Sequence, residues 1–325
     1  MTTIRTKKLM RIPAGLLMIA TASFGIAQEN VKDYPILAGG LQNPRLTWVD
    51  RNGQVISSAG RNLAYRTLAP DGAQVVVRTG PKTGSSDIRL VDSNRGSSTP
   101  VTVDAMQPVW APNGSAIAFL SQRGGAWGIY LKSSNGKGSE ELAISLDGPA
   151  ALYQWSPDGQ FLLYSTVDAQ TKSDVWVLPL LGERKPISVA RTPFNEDAAR
   201  FSPDGRWITY RSDESGTPQI YLQPFDLSAG TGNSATASKL QISYEGRVGS
   251  ARWTPDGKEI LYVGGDGAVM AVEFTSGSAY QMASRFLFRL PQSYSQTPGV
   301  IGELMDISVD GQQFMFAVPL ESTWR

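Results

Sequence analysis

The sequence contains no histidine and no cysteine. Without histidine, Ser-His-Asp and Cys-His arrangements are excluded within the chain, and so is a histidine-bound zinc or iron site. The commonest general base is missing with it. Without cysteine there is no disulfide framework, no thiolate chemistry and no attachment point for a lipoprotein lipid. An excess of charge of either sign is also lacking. The formal net charge is +1, and no basic run follows the first dozen residues, so the electrostatic footprint of a nucleic-acid binder is lacking. The one long apolar run, Ile12 to Ile26, is about 15 residues, short of the roughly 20 that span a bilayer. No Walker motif, strand–GxGxxG–helix unit or metal-ligand cluster is visible, so neither a cofactor nor a metal site is expected.

Arg5, Lys7, Lys8 and Arg11 precede that apolar run, which ends in small residues, with Gly25 and Ala27 before Gln28. A charged start, an apolar middle and a small-residue end make the pattern of a secretory signal peptide. The expected organisation is a signal peptide over 1–27, a linker over 28–45 and one domain over 46–325. Removing the signal takes away four basic side chains and no acidic ones, which leaves a net charge of about −3.

Turns are abundant. Glycine numbers 33 and proline 20 among 325 residues, while 41% of the chain is hydrophobic. That combination indicates many short strands around a substantial core. The punctuation is periodic. Leu68-Ala69-Pro70-Asp71-Gly72 returns as Trp110-Ala111-Pro112-Asn113-Gly114, Trp155-Ser156-Pro157-Asp158-Gly159 and Phe201-Ser202-Pro203-Asp204-Gly205. Trp253-Thr254-Pro255-Asp256-Gly257 and Ile307-Ser308-Val309-Asp310-Gly311 complete the series. The six copies recur at intervals of roughly 40–55 residues, the period of four-stranded propeller blades.

The motif has a mechanical reason. Proline pre-sets φ, Asp or Asn tolerates the next position, and glycine supplies the positive φ that reverses the chain. A β-prone apolar run follows each copy, such as Phe161-Leu162-Leu163-Tyr164 and Ile260-Leu261-Tyr262-Val263. Only one strand fits after the last turn, and a spare hairpin around Asn52-Gly53 precedes the first copy. The sequence therefore predicts an all-β fold: a six-bladed β-propeller closed by N-terminal strands that complete the last blade.

These repeats resemble the propeller of the TolB C-terminal domain, from about Leu46 to Leu320. The stretch from Thr192-Pro193-Phe194-Asn195-Glu196-Asp197 through Trp207, and on to Phe225, is also similar to the propeller of many bacterial eukaryote-like serine/threonine kinases. No kinase Gly-rich loop or His-Arg-Asp motif accompanies it, so the resemblance implies a sensor or scaffold module on its own. The roughly 18 residues from Gln28 to Arg45 are too few for the separate α/β domain that accompanies TolB propellers.

The repeated aspartates read as turn residues, and Trp110, Trp155 and Trp253, at one repeat position, read as packing between blades. Asp213-Glu214-Ser215-Gly216 and Gly264-Gly265-Asp266-Gly267 read as solvated turns. Binding candidates are polar residues near the inner strands, which a propeller places at one mouth of its channel. They are Arg66, Tyr153, Gln154, Glu196 and Asp197, together with Arg200, Arg247, Arg252, Glu303 and Asp306. An ion pair of Arg200 with Asp197 or Glu196 is expected among them. The function expected is a non-catalytic, exported propeller, periplasmic or extracellular, with a protein partner in the cell envelope. A receptor for a sugar, peptide or cell-wall fragment in the channel is the alternative. A hydrolase or lyase working with carboxylates or tyrosine is the third reading.

Overall fold

The computed structural model describes residues 45–61, 66–70, 74–79, 86–92, 97–225, 239–244, 246–275, 282, 284–290, 306–308 and 310–318. The expected signal peptide, nearly all of the expected linker and Glu303 lie outside them. Every regular element among the described residues is a strand.

The chain begins with β1 (Arg45–Asp50) and β2 (Val55–Arg61). Blade 1 follows as β3 (Arg66–Leu68), β4 (Gln74–Thr79), β5 (Asp87–Asp92) and β6 (Ser98–Thr102). Blade 2 is β7 (Ala105–Trp110), β8 (Ala116–Arg123), β9 (Ala126–Ser133) and β10 (Glu141–Leu146). Blade 3 is β11 (Ala150–Trp155), β12 (Phe161–Asp168), β13 (Lys172–Pro179) and β14 (Ile187–Ala190). Blade 4 is β15 (Glu196–Phe201), β16 (Trp207–Ser212), β17 (Gln219–Pro224) and β18 (Leu240–Gln241). Blade 5 is β19 (Arg252–Trp253), β20 (Glu259–Val263), β21 (Ala268–Glu273) and β22 (Ser284–Arg289). The last two strands, β23 (Asp306–Ile307) and β24 (Gln313–Val318), join β1 and β2 in a sheet of order β2-β1-β24-β23, which is blade 6.

This is a six-bladed β-propeller. Its first and last strands share one sheet, with Arg45 to Asp50 paired antiparallel to Val318 to Gln313. The first strands of blades 1 to 5 contact one another in turn, β3 with β7, β7 with β11, β11 with β15 and β15 with β19, so they line the channel. Each runs toward its Pro-Asp-Gly turn, which gathers those turns on one face of the ring. The crossovers between blades share the opposite face with the loops joining second to third strands. We call these the turn face and the crossover face.

The turn motif does two jobs. Within a blade, Asp158 Oδ1 accepts from Ser156 Oγ at 2.5 Å and from the Gln160 amide at 3.0 Å, while Ser156 Oγ accepts from the Phe161 amide at 2.9 Å. Blades 4 and 5 repeat the set with Ser202 and Asp204, and with Thr254 and Asp256. The hydroxyls of Thr254 and Ser308 hold the carboxyls of Asp256 and Asp310 below the usual range. Between blades, each described motif glycine lies against the proline of the preceding turn. A Cβ on Gly159 would meet Pro112 at 3.5 Å, and one on Gly205 would meet Pro157 at 3.8 Å. Gly114, Gly257 and Gly311 stand in the same relation to Pro70, Pro203 and Pro255.

The core lies between sheets. Trp110 packs with Val76 and Ile88 across blades 1 and 2, Trp155 with Leu120 and Ile129 across blades 2 and 3, and Trp253 with Ile220 and Leu222 across blades 4 and 5. Full burial of each large side chain stabilises by about 1.5–3 kcal/mol. Blade 6 carries Val49, Phe314 and Phe316 to Leu261 and Val269 of blade 5.

The N-terminal hairpin is also held by charge. Arg51 donates to the Gly311 carbonyl at 3.0 Å and to Glu259 at 2.5 Å, and Arg285 reaches the same carboxylate at 2.8 Å. Its turn needs glycine: Gly53 has φ +78°, and a Cβ there would stand 2.7 Å from the Phe288 ring. Arg51→Ala should lower unfolding stability by about 1 kcal/mol, because the pair is half-buried and shared. Arg206→Ala, which removes an exposed pair with Asp204, should change it by less than ~0.5 kcal/mol. Urea unfolding of both variants checks the contrast.

Candidate functional site: the channel wall and crossover face of blades 3 and 4

Bulges aim the channel residues. The register of β7 shifts between Met106 and Val109, and that of β15 between Asp197 and Arg200. Gln107 and Ala198 take φ values of 49° and 52° at those bulges. A positive φ outside glycine costs roughly 1 kcal/mol or more, so the surrounding sheet must hold each bulge in place.

Gln107 Oε1 accepts from the Leu152 amide at 2.7 Å, and Gln154 Oε1 accepts from the Phe201 amide at 2.9 Å. Each glutamine staples its own blade to the next. Gln154, a candidate for binding, is thus committed to the channel wall. Tyr153 and Arg200 do come together. The guanidinium lies 5.6 Å from the Tyr153 ring centre and donates to the Ala199 carbonyl at 2.7 Å. Tyr153 OH bonds Ser165 Oγ at 2.7 Å. Arg252 occupies the equivalent place in blade 5, beside Ser250 Oγ and the Ala251 carbonyl.

The expected pairing of Arg200 with Asp197 or Glu196 is not the one formed. Arg211, directly across the β15–β16 ladder, takes both oxygens of Asp197 at 2.7 and 2.6 Å. The hairpin places Arg211 opposite Asp197, whereas the bulge turns Arg200 toward Tyr153. Glu196 is 1% exposed and accepts from the hydroxyl and the amide of Thr192. Burial pushes its carboxyl up to about 7, against the partial counter-pull of the Thr192 bonds.

Glu196 roots the crossover from blade 3, residues 191–195, and carboxylates tie that crossover at three points. Arg191 reaches Asp168 at 3.7 Å and Asp174 at 3.6 Å. Thr192 is held by Glu196. Asn195 donates from its amide and its Nδ2 to Asp213 at 2.9 and 2.7 Å. Asp174 is itself 1% exposed; Thr171 bonds its Oδ2 at 2.6 Å, its Oδ1 has no partner, and burial raises its carboxyl.

The remaining candidates scatter. Arg66 lies in β3, Arg247 is exposed in the crossover before β19, and Asp306 is exposed in β23. Glu303 falls outside the described residues. The two acidic loops prove to be braces: Asp213 holds Asn195, Glu214 pairs with Lys239, and Asp266 pairs with Arg289 at 2.5 Å. Among the described residues, no group of three or more acidic side chains could hold a metal ion. Sequence reasoning missed Arg211, Thr192 and Asp174. Antiparallel pairing of the strands flanking Pro203-Asp204-Gly205 was the signal that could have found Arg211.

The family model for the TolB beta propeller domain matches residues 137–316. The Tol-Pal system protein TolB of Bordetella pertussis is 29% identical over 156 residues, which are 45% of this chain and 34% of that protein. The match thus spans about a third of that relative's length. Among solved structures, a TolB candidate from Agrobacterium tumefaciens superposes with a TM-score of 0.60 at 17% identity, covering 87% of this chain and 99% of the other. An oligogalacturonate lyase solved with manganese also reaches 0.60, at 12% identity, covering 83% of this chain and 81% of the other. At those identities the likeness is one of fold.

The buried Glu196 has a measurable consequence. Below its ordinary 4.5 it is protonated whether the chain is folded or not; from there to about 7 the folded protein keeps a proton that the unfolded chain releases. Its contribution to stability is therefore complete in acid and lost as pH rises through 7. Glu196→Gln should relieve that loss, gaining on the order of 1–3 kcal/mol over wild type at pH 8 relative to pH 5. Denaturant unfolding at the two pH values reads the difference.

Proposed function

Because the chain belongs to the family of TolB β-propeller domains, we propose that it is a non-catalytic, exported propeller that binds a protein partner in the cell envelope as a scaffold or sensor. The observation that carries this reading is the crossover face. Its loops and strand ends expose Val103, Val167, Phe194 and Tyr244, and the Asp197–Arg211 pair stands at the crossover-side ends of β15 and β16. Apolar side chains set among fixed charges suit protein recognition, where aromatic and arginine anchors dominate binding energy. The relative from Bordetella pertussis is by name a component of a Tol-Pal system, which supports a protein partner. The pattern of residues 1–27 supports export, and no helix among the described residues is long and apolar enough to cross a membrane.

A binding role is favoured over catalysis because the chain has no histidine and its channel arginines are braced by main-chain carbonyls and an aromatic ring. A small anionic ligand in the channel is the second reading, supported by the equivalent positions of Arg200 and Arg252.

Photo-cross-linking in intact envelopes tests the first reading. A cross-linker at Phe194 or Tyr244 should capture one reproducible protein, and a cross-linker at Lys258 on the turn face should not. Phe194→Ala should weaken capture by the Tyr244 cross-linker about tenfold or more, as for an interface anchor. If no crossover-face position yields a specific product, the protein-partner reading fails. A melting-temperature rise with small oligoanions, lost in Arg200→Ala, would then favour the channel ligand.

A further inference from the structure

We propose that the 191–195 crossover is a proton-gated loop of the binding face, with the Glu196 carboxyl as its latch. Its effect on partner binding rests on the preceding reading; the gating itself does not.

The geometry is a short relay. Thr192 donates twice to Glu196, from its hydroxyl to Oε1 and from its amide to Oε2 at 3.4 Å. The same hydroxyl accepts from the Phe194 amide at 3.3 Å. The ionised carboxyl thereby fixes the hydroxyl that fixes the backbone of Phe194, whose side chain is 37% exposed at the loop tip. A carboxylate accepts only, whereas a carboxylic acid must also donate. When Glu196 takes a proton, the protonated oxygen becomes a donor and a poorer acceptor, so its bond from Thr192 weakens or, at the hydroxyl, reverses, and the relay to Phe194 changes with it.

Of the other carboxylate tethers, Asp213 and Asp168 are lowered, whereas Asp174, which Arg191 also reaches, is buried and raised like Glu196. Asp213, which holds Asn195, is kept below the usual range by its hydrogen bonds from that residue, against a burial effect that raises it. Asp168, which faces Arg191, is likewise lowered, first by the Gln170 and Thr171 amides. Glu196 is the buried, raised carboxyl that bonds the hydroxyl and amide of Thr192 and so acts on the relay to Phe194.

The charges around it are accounted for on each packed element. From β13, Asp174 faces Glu196 and raises it further, while Lys239, beside β18, lowers it. From β16 come the buried Tyr210 phenol, itself raised by burial, and Arg211, which is committed to Asp197. Glu214 engages Lys239, and Arg191 lies between Asp168 and Asp174. The histidine-free composition isolates the event. No side chain of ordinary pKa titrates between pH 6 and 8 in this chain, so a neutral-range transition in the loop points to a carboxyl displaced by its surroundings.

The test is amide NMR of the full chain from pH 5.5 to 8.5. The Thr192 and Phe194 amide shifts should follow one titration with a midpoint near 7. Glu196→Gln should abolish it. Thr192→Val, which removes a bond favouring the charged form, should raise the midpoint by roughly half a pH unit or more. Flat wild-type shifts would overturn the proposal even if Glu196→Gln did not fold. So would a titration that survives Glu196→Gln and disappears in Asp174→Asn. Shifts that titrate while crossover-face cross-links are absent at both ends of the range would uphold the latch and overturn the binding-face reading.

Discussion

The propeller depends on the burial of each sheet's face against the next, and the Pro-Asp-Gly turns set the spacing of that contact. A single four-stranded blade has two apolar faces and cannot bury either alone. Stacking the blades around a channel covers both. The seating of each glycine beside the preceding proline, from Gly114 on Pro70 to Gly311 on Pro255, repeats one spacing at one end of every described seam. The tryptophans and phenylalanines just before the turns then fall into register between neighbouring sheets.

Closure follows from the same need. An open array would leave blade 6 with two strands and an unpaired edge. β1 and β2 complete it, and Arg51 carries the joint onto blade 5 through Glu259. The first and last described strands, β1 and β24, are thereby committed to one sheet. The described Pro-Asp-Gly turns repeat one another because they hold the ring together. The crossover face differs from blade to blade, and it carries the strained Ala198 bulge, the buried acids and the exposed aromatic residues.

Much of this was legible in the sequence. Six turn motifs at a steady period required blades, and Asn52-Gly53 before the first copy, with one strand after the last, required closure. The turn role of the aspartates followed from Asn113 standing in for one of them. The second role of the motif was not legible, since the contact of Pro157 with Gly205 joins residues far apart in sequence. The candidate site was only partly legible. Tyr153, Glu196, Asp197 and Arg200 do gather at one seam, but which charge meets which depends on a bulge at Ala198 that no local pattern announces. Gln154, a binding candidate by sequence, also accepts at Oε1 from the Phe201 amide across the seam. The near-neutral carboxyl of Glu196 arises from burial, which a strand of mixed polarity such as Glu-Asp-Ala-Ala-Arg-Phe does not advertise.

Absence and presence meet at this seam. A chain without histidine has given up the usual neutral-pH sensor, and a carboxyl buried between two blades takes a value in the same range. We propose that a partner binds the crossover face of blades 3 and 4. Hydrogen–deuterium exchange on the protein alone and in complex with its captured partner tests this most directly. The account predicts added protection in residues 191–200 and 211–217, with the Pro-Asp-Gly turns unchanged. Protection confined to those turns would contradict it.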